Sequence, residues 1–349
     1  MSNEVQINHA TVFQNKVLYL ARSKNLPGIS LTIIVGLIAH SLGKDYPLIG
    51  GAVIAIVLGI LIRQFLGVPE VFSAGISYTL KNLLKFAIIL LGFSFSFLDI
   101  FRLGLNTIFI VLVAVFLGIF LTYLIARLFK LKGNIPLLIS LGTGICGATA
   151  IATTGPIIKA KDEDIVYAVN TIFAFNILAV LVYPVVGHLL SMPDNQFGAW
   201  AGTAIHDTSS VVAAGYSYSN QAGDASVVVK LIRTLMLVPI AVLLSIYITL
   251  KNTTSYQGEK RVKISKIFPF FILFFASAAA LNTIFPLSAS FIEPTTFVAK
   301  FIILMVMASV GLGTDMRKIK SVGFQPLIVG LISSIIMGSI SLLLILILF

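Results

Sequence analysis

The sequence is short of charge and nearly free of cysteine. Only 11% of its 349 residues are charged and 58% are hydrophobic, whereas about 25% of residues are charged in a soluble domain. With a mean hydropathy of +1.04, this composition excludes a soluble globular domain and a disordered chain. The single cysteine, Cys146, excludes a disulfide framework and a thiolate zinc site of the usual spacing. We expect neither a metal nor a cofactor.

Apolar runs long enough to cross a bilayer as helices are present along nearly the whole chain. Two weaker stretches, 134–158 and 197–217, are richer in Gly, Ala, Thr and Ser. Alternating strands of about ten residues, typical of a membrane barrel, are not seen. The sequence therefore predicts an all-α polytopic membrane protein with one transmembrane domain over 27–349, of ten to eleven helices if the weaker stretches also span. The nine firm runs lie near 28–43, 46–66, 82–98, 104–126, 165–189, 227–249, 267–284, 297–313 and 324–348.

Basic residues orient this domain, because short cytoplasmic loops carry more of them than external loops. The chain has 24 lysines and arginines against 13 acidic residues, a net charge of +11. We therefore expect a multi-pass protein of the bacterial inner membrane with a cytoplasmic N-terminus. No loop is long enough to form a nucleic-acid reader, so no nucleic-acid partner is expected. Lys81, Asn82 and Lys85 are predicted to anchor the start of the third span at the membrane surface. Every second connection between spans is basic, and these connections contain Lys16, Arg22, Lys24, Arg127, Lys130, Lys132, Lys251, Lys260, Arg261, Lys263, Lys266, Arg317, Lys318 and Lys320.

Residues 1–26 precede the first span. Apolar residues at 12, 13, 17 and 20 recur at helical spacing beside basic ones, which predicts a short cytoplasmic helix on the membrane surface. A disordered tail is the alternative.

The two weaker stretches contain matched segments, 142–155 and 202–215, which share Gly, Thr, Ile and a final Gly at equal spacing. Helix breakers and hydroxyl groups at membrane depth are tolerated only against protein or a watery cavity. Transporters use paired broken helices whose N-terminal ends hold an anion near the midplane. Close packing through small residues is the alternative. The residues predicted to bind substrate here are Thr143, Gly144, Cys146, Gly147, Thr149, Thr203, His206, Thr208 and Ser209.

The two stretches can both span the membrane or both re-enter, because two extra crossings leave the later loops on the same sides. If both span, Lys159 and Lys161 lie outside, against the charge rule. If both re-enter, 133–158 dips in from the cytoplasm and 197–217 from outside, which fits the charge slightly better. A second pair of similar segments contains Asp99 and Asp315, which are predicted to lie on opposite sides of the membrane, and this suits an inverted repeat. The two aspartates are 216 residues apart (315 − 99), whereas the first pair of segments begins 60 residues apart (202 − 142).

Ionisable groups inside a membrane are costly and are therefore functional candidates. Asp207 is the candidate carrier of a coupling H⁺ or Na⁺, and capping of a half-helix is its alternative role. Asn176 is a second candidate for coupling, with interhelical hydrogen bonding as the alternative. Lys230 and Arg233 share one helix face and are expected to attract the anion, with snorkelling toward the surface as the alternative.

No catalytic site is expected. Cys146, His206 and Asp207 are the only candidates for a membrane-embedded enzyme, and no histidine neighbours Cys146 in the sequence. A P-loop ending in Gly-Lys-Ser/Thr is not found, so the chain does not encode an ATP-driven pump. Uphill transport would use an ion gradient or a partner.

The run 141–158, continuing to Tyr183 and Pro184, resembles the YeiH family of bacterial membrane proteins, also called the UPF0324 or sulfate exporter family. The Ile-His-Asp motif at 205–207 and the runs 229–233 and 311–315 resemble it as well, so the resemblance covers nearly the whole chain. It implies a place among the cation/proton antiporters and anion transporters, which have inverted repeats with discontinuous helices. A sulfate-like substrate is likewise implied by the resemblance.

We therefore predict a secondary transporter that exports a small inorganic or organic anion, coupled to H⁺ or Na⁺. A cation/proton antiporter using Asp207 is the alternative within transport, and an embedded enzyme or a sensor is the alternative from another class. The expected partners are the anion, the coupling ion and the lipid bilayer, and a homodimer is left open.

Overall fold

The structure is a computed structural model that describes residues 24–45, 50–251, 268–314 and 324–348. Within these ranges the chain forms helices joined by turns and contains no strand, which confirms the predicted all-α membrane fold. The segment 1–23, the basic loops at 252–267 and 315–323, and the side chain of Asp99 lie outside the described residues. The helices are α1 (Leu26–Asp45), α2 (Gly51–Leu66), α3 (Glu70–Gly92), α4 (Phe97–Leu128), α5 (Ile135–Gly144), α6 (Ala148–Ile157), α7 (Asp162–Leu189), α8 (Asp194–Ala204), α9 (Thr208–Tyr218), α10 (Asn220–Leu235), α11 (Leu237–Lys251), α12 (Phe270–Ile284), α13 (Ala289–Gly313) and α14 (Phe324–Leu348).

The described helices account for the predicted spans. Seven are long and apolar enough to cross a membrane, namely α1, α3, α4, α7, α13, α14 and the pair α10–α11, which together form the span Asn220–Leu250. Two shorter apolar helices, α2 and α12, correspond to the other predicted spans. The weaker stretches form two pairs of half-helices, α5–α6 and α8–α9.

The third span begins earlier than the sequence predicts. It was expected over 82–98, but α3 begins at Glu70, directly after Pro69. Lys81, Asn82 and Lys85 interrupt the apolar run, so the apolar stretch alone places the start too late. They are not anchors at the helix entry, because Lys81 lies about 16 Å along α3 at 1.5 Å per residue. All three are exposed, and charge is costly among lipid chains, so we infer that this face of α3 meets water or protein.

Five helices, α1, α2, α3, α12 and α13, form what we call the scaffold bundle. Its helix backbones touch where glycines face one another. A Cβ atom on Gly75 of α3 would lie 2.6 Å from the Cα atom of Gly28 of α1, and one on Gly311 of α13 would lie 2.9 Å from the Cα atom of Gly59 of α2. Such close approach through small residues is how membrane helices pack without a hydrophobic driving force.

The half-helices α5 and α6 fold back on one another and form hairpin 1. A Cβ atom on Gly142 of α5 would lie 2.8 Å from Ile151 of α6, which requires the two half-helices to run side by side. The backbone N–H of Asn134, just before α5, donates to the Asp164 carboxylate in the first turn of α7 at 3.2 Å. The chain therefore leaves and returns at the same face, and this stretch re-enters.

The half-helices α8 and α9 form hairpin 2 in the same way. The ring of Tyr218, at the end of α9, stacks on Phe197 in the first turn of α8, with centroids 3.9 Å apart. The Tyr218 hydroxyl donates to the carbonyl of Met192, just before α8. This stretch also leaves and returns at one face, so both weaker stretches re-enter, which is the arrangement that the charge rule slightly favoured.

The two hairpins enter from opposite faces. They are joined by α7, whose 28 residues span about 42 Å. We call the face where α1 and α7 begin the near face, and the face where they end the far face. Hairpin 1 enters from the near face and hairpin 2 from the far face, as in an inverted pair. The hairpins, α4, α7, α10, α11 and α14 make up the hairpin bundle. It contacts the scaffold bundle through α9 against α2 and α13 and through α4 against α12.

Candidate functional site

The tips of the two hairpins meet inside the hairpin bundle. A Cβ atom on Gly147, in the turn of hairpin 1, would lie 3.4 Å from the Cβ atom of Asp207 in the turn of hairpin 2. Gly147 has φ +62°, a backbone conformation that favours glycine. We call residues 143–149 and 203–209 together the tip site. Ten of the thirteen predicted site residues lie in these two segments, Lys230 and Arg233 face them from α10, and Asn176 joins them from α7.

Arg233 of α10 joins the two tips. Its side chain is 0% exposed, and its Nε donates to the carbonyl of Gly144 at 2.9 Å. Its terminal nitrogens donate to the carbonyl of Thr143 on hairpin 1 and to those of Thr203 and Ile205 on hairpin 2. One guanidinium therefore binds the last carbonyls of both α5 and α8.

Lys230, one turn earlier on α10, makes the same kind of bridge. It is also 0% exposed, and its Nζ donates to the carbonyl of Ile205 at 2.7 Å and to that of Ile145 at 3.3 Å. The last carbonyls of a helix have no partner within the helix and carry partial negative charge. Both cations therefore lie at the predicted site, where the described hydrogen bonds of their side chains go to backbone carbonyls.

The N-terminal end of α9 is capped by Asp207. Its carboxylate accepts from the backbone N–H of Ser209 at 2.9 Å and from the Ser209 hydroxyl. The N–H of Asp207 itself donates to the side-chain oxygen of Asn176 on α7 at 3.3 Å. The capping role and the interhelical role that were alternatives for these two residues are therefore observed, and ion coupling by either stays a prediction.

The N-terminal end of α6 is different. No side chain among the described residues caps it at Gly147. Thr149, in its first turn, is exposed, and Thr208 in the first turn of α9 is half-buried. The first N–H groups of a helix are unpaired donors with partial positive charge. Of the four half-helix ends at the tip site, this is the one to which no charged side chain of the described residues is bound.

His206 faces α14. Its Nε2 lies 2.9 Å from the hydroxyl of Ser334, and the ring borders a side cavity of about 280 Å³ between α7, α8 and α14. Tyr183 and Trp200 stack beside it with centroids 4.4 Å apart, and Trp200 Nε1 donates to the carbonyl of Gly338 at 2.9 Å. These contacts fix hairpin 2 against α7 and α14.

The remaining predicted residues lie at the tips in smaller roles. The Thr203 hydroxyl donates to the carbonyl of Ala199 within α8 at 2.7 Å, and the Thr143 hydroxyl has no partner among the described residues. Cys146 is 2% exposed in the turn of hairpin 1. Both threonines contribute their backbone carbonyls to Arg233.

A polar cavity of about 570 Å³ opens at the far face beside hairpin 2. Its lining includes Arg102 of α4, Asn195 of α8 and Asp224 of α10, and it reaches Val228. Val228 precedes Lys230 by two residues, or about 3 Å along α10. Sequence reasoning did not find this vestibule or Ser334, although two adjacent serines in the apolar run of α14 were a signal for the latter.

Comparison with known proteins gives consistent matches. The family model described as Conserved hypothetical protein 698 matches residues 27–330. A UPF0324 membrane protein of Streptococcus agalactiae serotype V is 38% identical over 88% of this chain and 92% of its own length. UPF0324 membrane proteins of Clostridium tetani and Streptococcus mutans serotype c are each 36% identical, over 89% and 91% of this chain and 92% and 96% of theirs.

Proposed function

Because the chain belongs to the family of UPF0324 membrane proteins, we propose from the geometry of its tip site that it is a secondary transporter for a small oxyanion of the sulfate type. It exports the anion across the bacterial plasma membrane, coupled to a gradient of H⁺ or Na⁺. No catalytic step is part of this proposal.

The proposal rests on the observation that charged side chains bind three of the four half-helix ends but not the fourth. Lys230 and Arg233 bind the carbonyl ends of α5 and α8, and Asp207 caps α9. The first turn of α6, with the exposed Thr149, has no charged side chain bound to it, and in this proposal its N–H groups are the donors to the ligand. Helix N-termini bind anions through such donors and through the dipole, and transporters use half-helix ends near the midplane for this purpose.

The charges around the tips support an anion over a cation. Two buried cations, Lys230 and Arg233, lie beside the tip site. Among the described residues of the tip site and the neighbouring part of α10, Asp207 is the one carboxylate. A cation substrate would have to bind against this excess.

The proposed orientation follows from the distribution of basic residues between the two faces. The near face carries Arg127, Lys130, Lys132, Lys159 and Lys161 in its turns around hairpin 1. We therefore place the near face and the N-terminus in the cytoplasm, and the far-face vestibule outside.

The test is flux of radiolabelled sulfate into proteoliposomes of the purified protein, with and without imposed pH and Na⁺ gradients. Thr149→Val removes a hydroxyl from the first turn of α6 and should lower the flux at least tenfold. Thr153→Val makes the same change one turn further along α6 and serves as the matched control. Equal flux in empty and protein-containing liposomes, for sulfate and then for sulfite, sulfonates and carboxylates, would refute the proposal.

Coupling is tested separately with Asp207→Asn. Asparagine keeps an oxygen that can accept from the N–H of Ser209, so the cap and the fold should survive. If Asp207 carries the coupling ion, transport should lose its dependence on pH or Na⁺. A flux with unaltered ion dependence would leave Asp207 with the capping role alone.

A further inference from the structure

A second far-face cavity, of about 280 Å³, lies where the scaffold bundle meets the end of hairpin 2. The scaffold contributes His40 and Lys44 of α1 and Lys300 of α13, and the other side contributes Tyr216 of α9 and Asn220 of α10. No carboxylate is among the described residues that line it. The cavity is therefore a cationic pocket in a region of the chain that the tip site does not include.

The basic side chains are held in place by neighbours that leave donors free. The Lys300 ammonium donates to the side-chain oxygen of Asn220 at 2.8 Å and lies 5.6 Å from the centre of the Tyr216 ring. An ammonium has three donors, so this contact uses one of them. His40 packs edge-on against Phe297, with ring centres 5.8 Å apart, and Lys44 is exposed.

The nearby carboxylates are not part of the lining of this pocket, although the charge of Asp224 is close enough to interact with that of Lys300. Asp224 accepts from the Tyr216 hydroxyl at 2.6 Å and lines the polar vestibule instead. Asp45 follows Lys44 in the sequence and is exposed. An anion in the pocket would therefore meet two ammonium groups and an imidazole.

The ends of two helices place one side of this pocket at the level of lipid head groups, while Lys300 lies about 16 Å along α13. His40 and Lys44 occupy the last two turns of α1, and Asn220 is the first residue of α10. Helix ends lie at the boundary of the hydrocarbon core, where basic and aromatic side chains contact head groups. The apolar side of the pocket, which includes Phe297 and Phe301, suits the glycerol and upper chain of a lipid.

We propose that this pocket binds a phosphate group, supplied by an anionic lipid of the far leaflet or by free phosphate. Because the lysines belong to the scaffold bundle while Tyr216 and Asn220 belong to the hairpin bundle, the bound phosphate holds the two bundles together in this arrangement. The proposal does not depend on which substrate the tip site takes.

The test uses the full chain purified in detergent and a short-chain phosphatidylglycerol, with the matching phosphatidylcholine as the neutral lipid. Phosphatidylglycerol should raise the melting temperature saturably, and phosphatidylcholine should not. In Lys44→Gln/Lys300→Gln, the apparent affinity for phosphatidylglycerol should fall at least tenfold. Lys132→Gln removes an exposed lysine at the near face and should bind like the unaltered protein.

Inorganic phosphate distinguishes the two sources. If it reproduces the stabilisation and the double variant loses it, the pocket recognises the free oxyanion; if only the lipid acts, the head group is the ligand. Lys300→Arg keeps the positive charge and should therefore keep the binding. The melting temperatures without ligand report whether each variant folds. Equal affinity of the double variant and the unaltered protein for phosphatidylglycerol, or equal stabilisation by both lipids, would overturn the proposal.

Discussion

Replacement of Arg233 by glutamine should destabilise the protein rather than simply weaken substrate binding. The guanidinium is 0% exposed and donates to four backbone carbonyls on two hairpins. A glutamine amide has two donors, and the carbonyl of Ile205 keeps its hydrogen bond from Lys230, so at least one carbonyl would lose its partner. Each buried polar group left unsatisfied costs about 1–3 kcal/mol, which gives a loss of about 1–3 kcal/mol in the free energy of unfolding for that one carbonyl.

Two effects reduce this figure. Removal of the guanidinium also removes the cost of burying its charge, and hydrogen bonds between membrane helices often contribute only about 0.6 kcal/mol because the unfolded chain finds other partners. We therefore expect a loss of about 1–2 kcal/mol, measured by denaturant unfolding in mixed micelles. Arg102→Gln, an exposed arginine at the vestibule, is the control and should change stability by less than about 0.5 kcal/mol. An Arg233→Gln protein as stable as this control, yet with weakened anion binding, would contradict the bridging role and assign the guanidinium to the substrate.

Two further predictions concern the fold. Cys146→Ser removes the single cysteine of the chain, and Lys132→Cys and Glu163→Cys can then be introduced one at a time. Because hairpin 1 re-enters, both should react with an impermeant maleimide from the same side of the membrane. Labelling from opposite sides would show that this stretch crosses the membrane. Gly311→Ala should lower the free energy of unfolding by about 1–3 kcal/mol through overpacking, because its Cβ atom would lie 2.2 Å from a carbonyl oxygen of α2. Gly313→Ala has open space around its Cβ atom and should not change stability. Equal melting temperatures of the two variants would refute the close packing of α2 on α13.

The hairpins were recognisable in the sequence because glycine and hydroxyl residues interrupt the apolar runs at matched positions. Their direction was weakly encoded as well, since Lys159 and Lys161 follow hairpin 1 and disfavour a crossing. The contacts that establish re-entry were not readable. The bond from Asn134 to Asp164 and the stacking of Tyr218 on Phe197 depend on folding back, which no local pattern specifies.

The partners of the buried cations were also beyond the sequence. Charge spacing placed Lys230 and Arg233 on one face of a helix, and the need to neutralise buried charge suggested an anion or a carboxylate. The groups that receive their donors are backbone carbonyls, which every residue has and which no residue type marks. The start of α3 was missed for a related reason, because lysines within a span resemble lysines at its entry until the helix is seen to continue past them.

The binding of both cations by carbonyls strengthens the case for an anion. The C-terminal ends of α5 and α8 each carry about −0.5 charge and the N-terminal ends of α6 and α9 about +0.5, so the four ends cancel. The side chains then contribute two positive charges from Lys230 and Arg233 and one negative charge from Asp207, which leaves about +1 with His206 neutral. A monovalent anion at the open end of α6 would neutralise this excess. A divalent anion such as sulfate would leave one negative charge, which a bound H⁺ or Na⁺ would cancel, and coupling to an ion gradient would then follow from charge balance inside the membrane, where an uncompensated charge is costly.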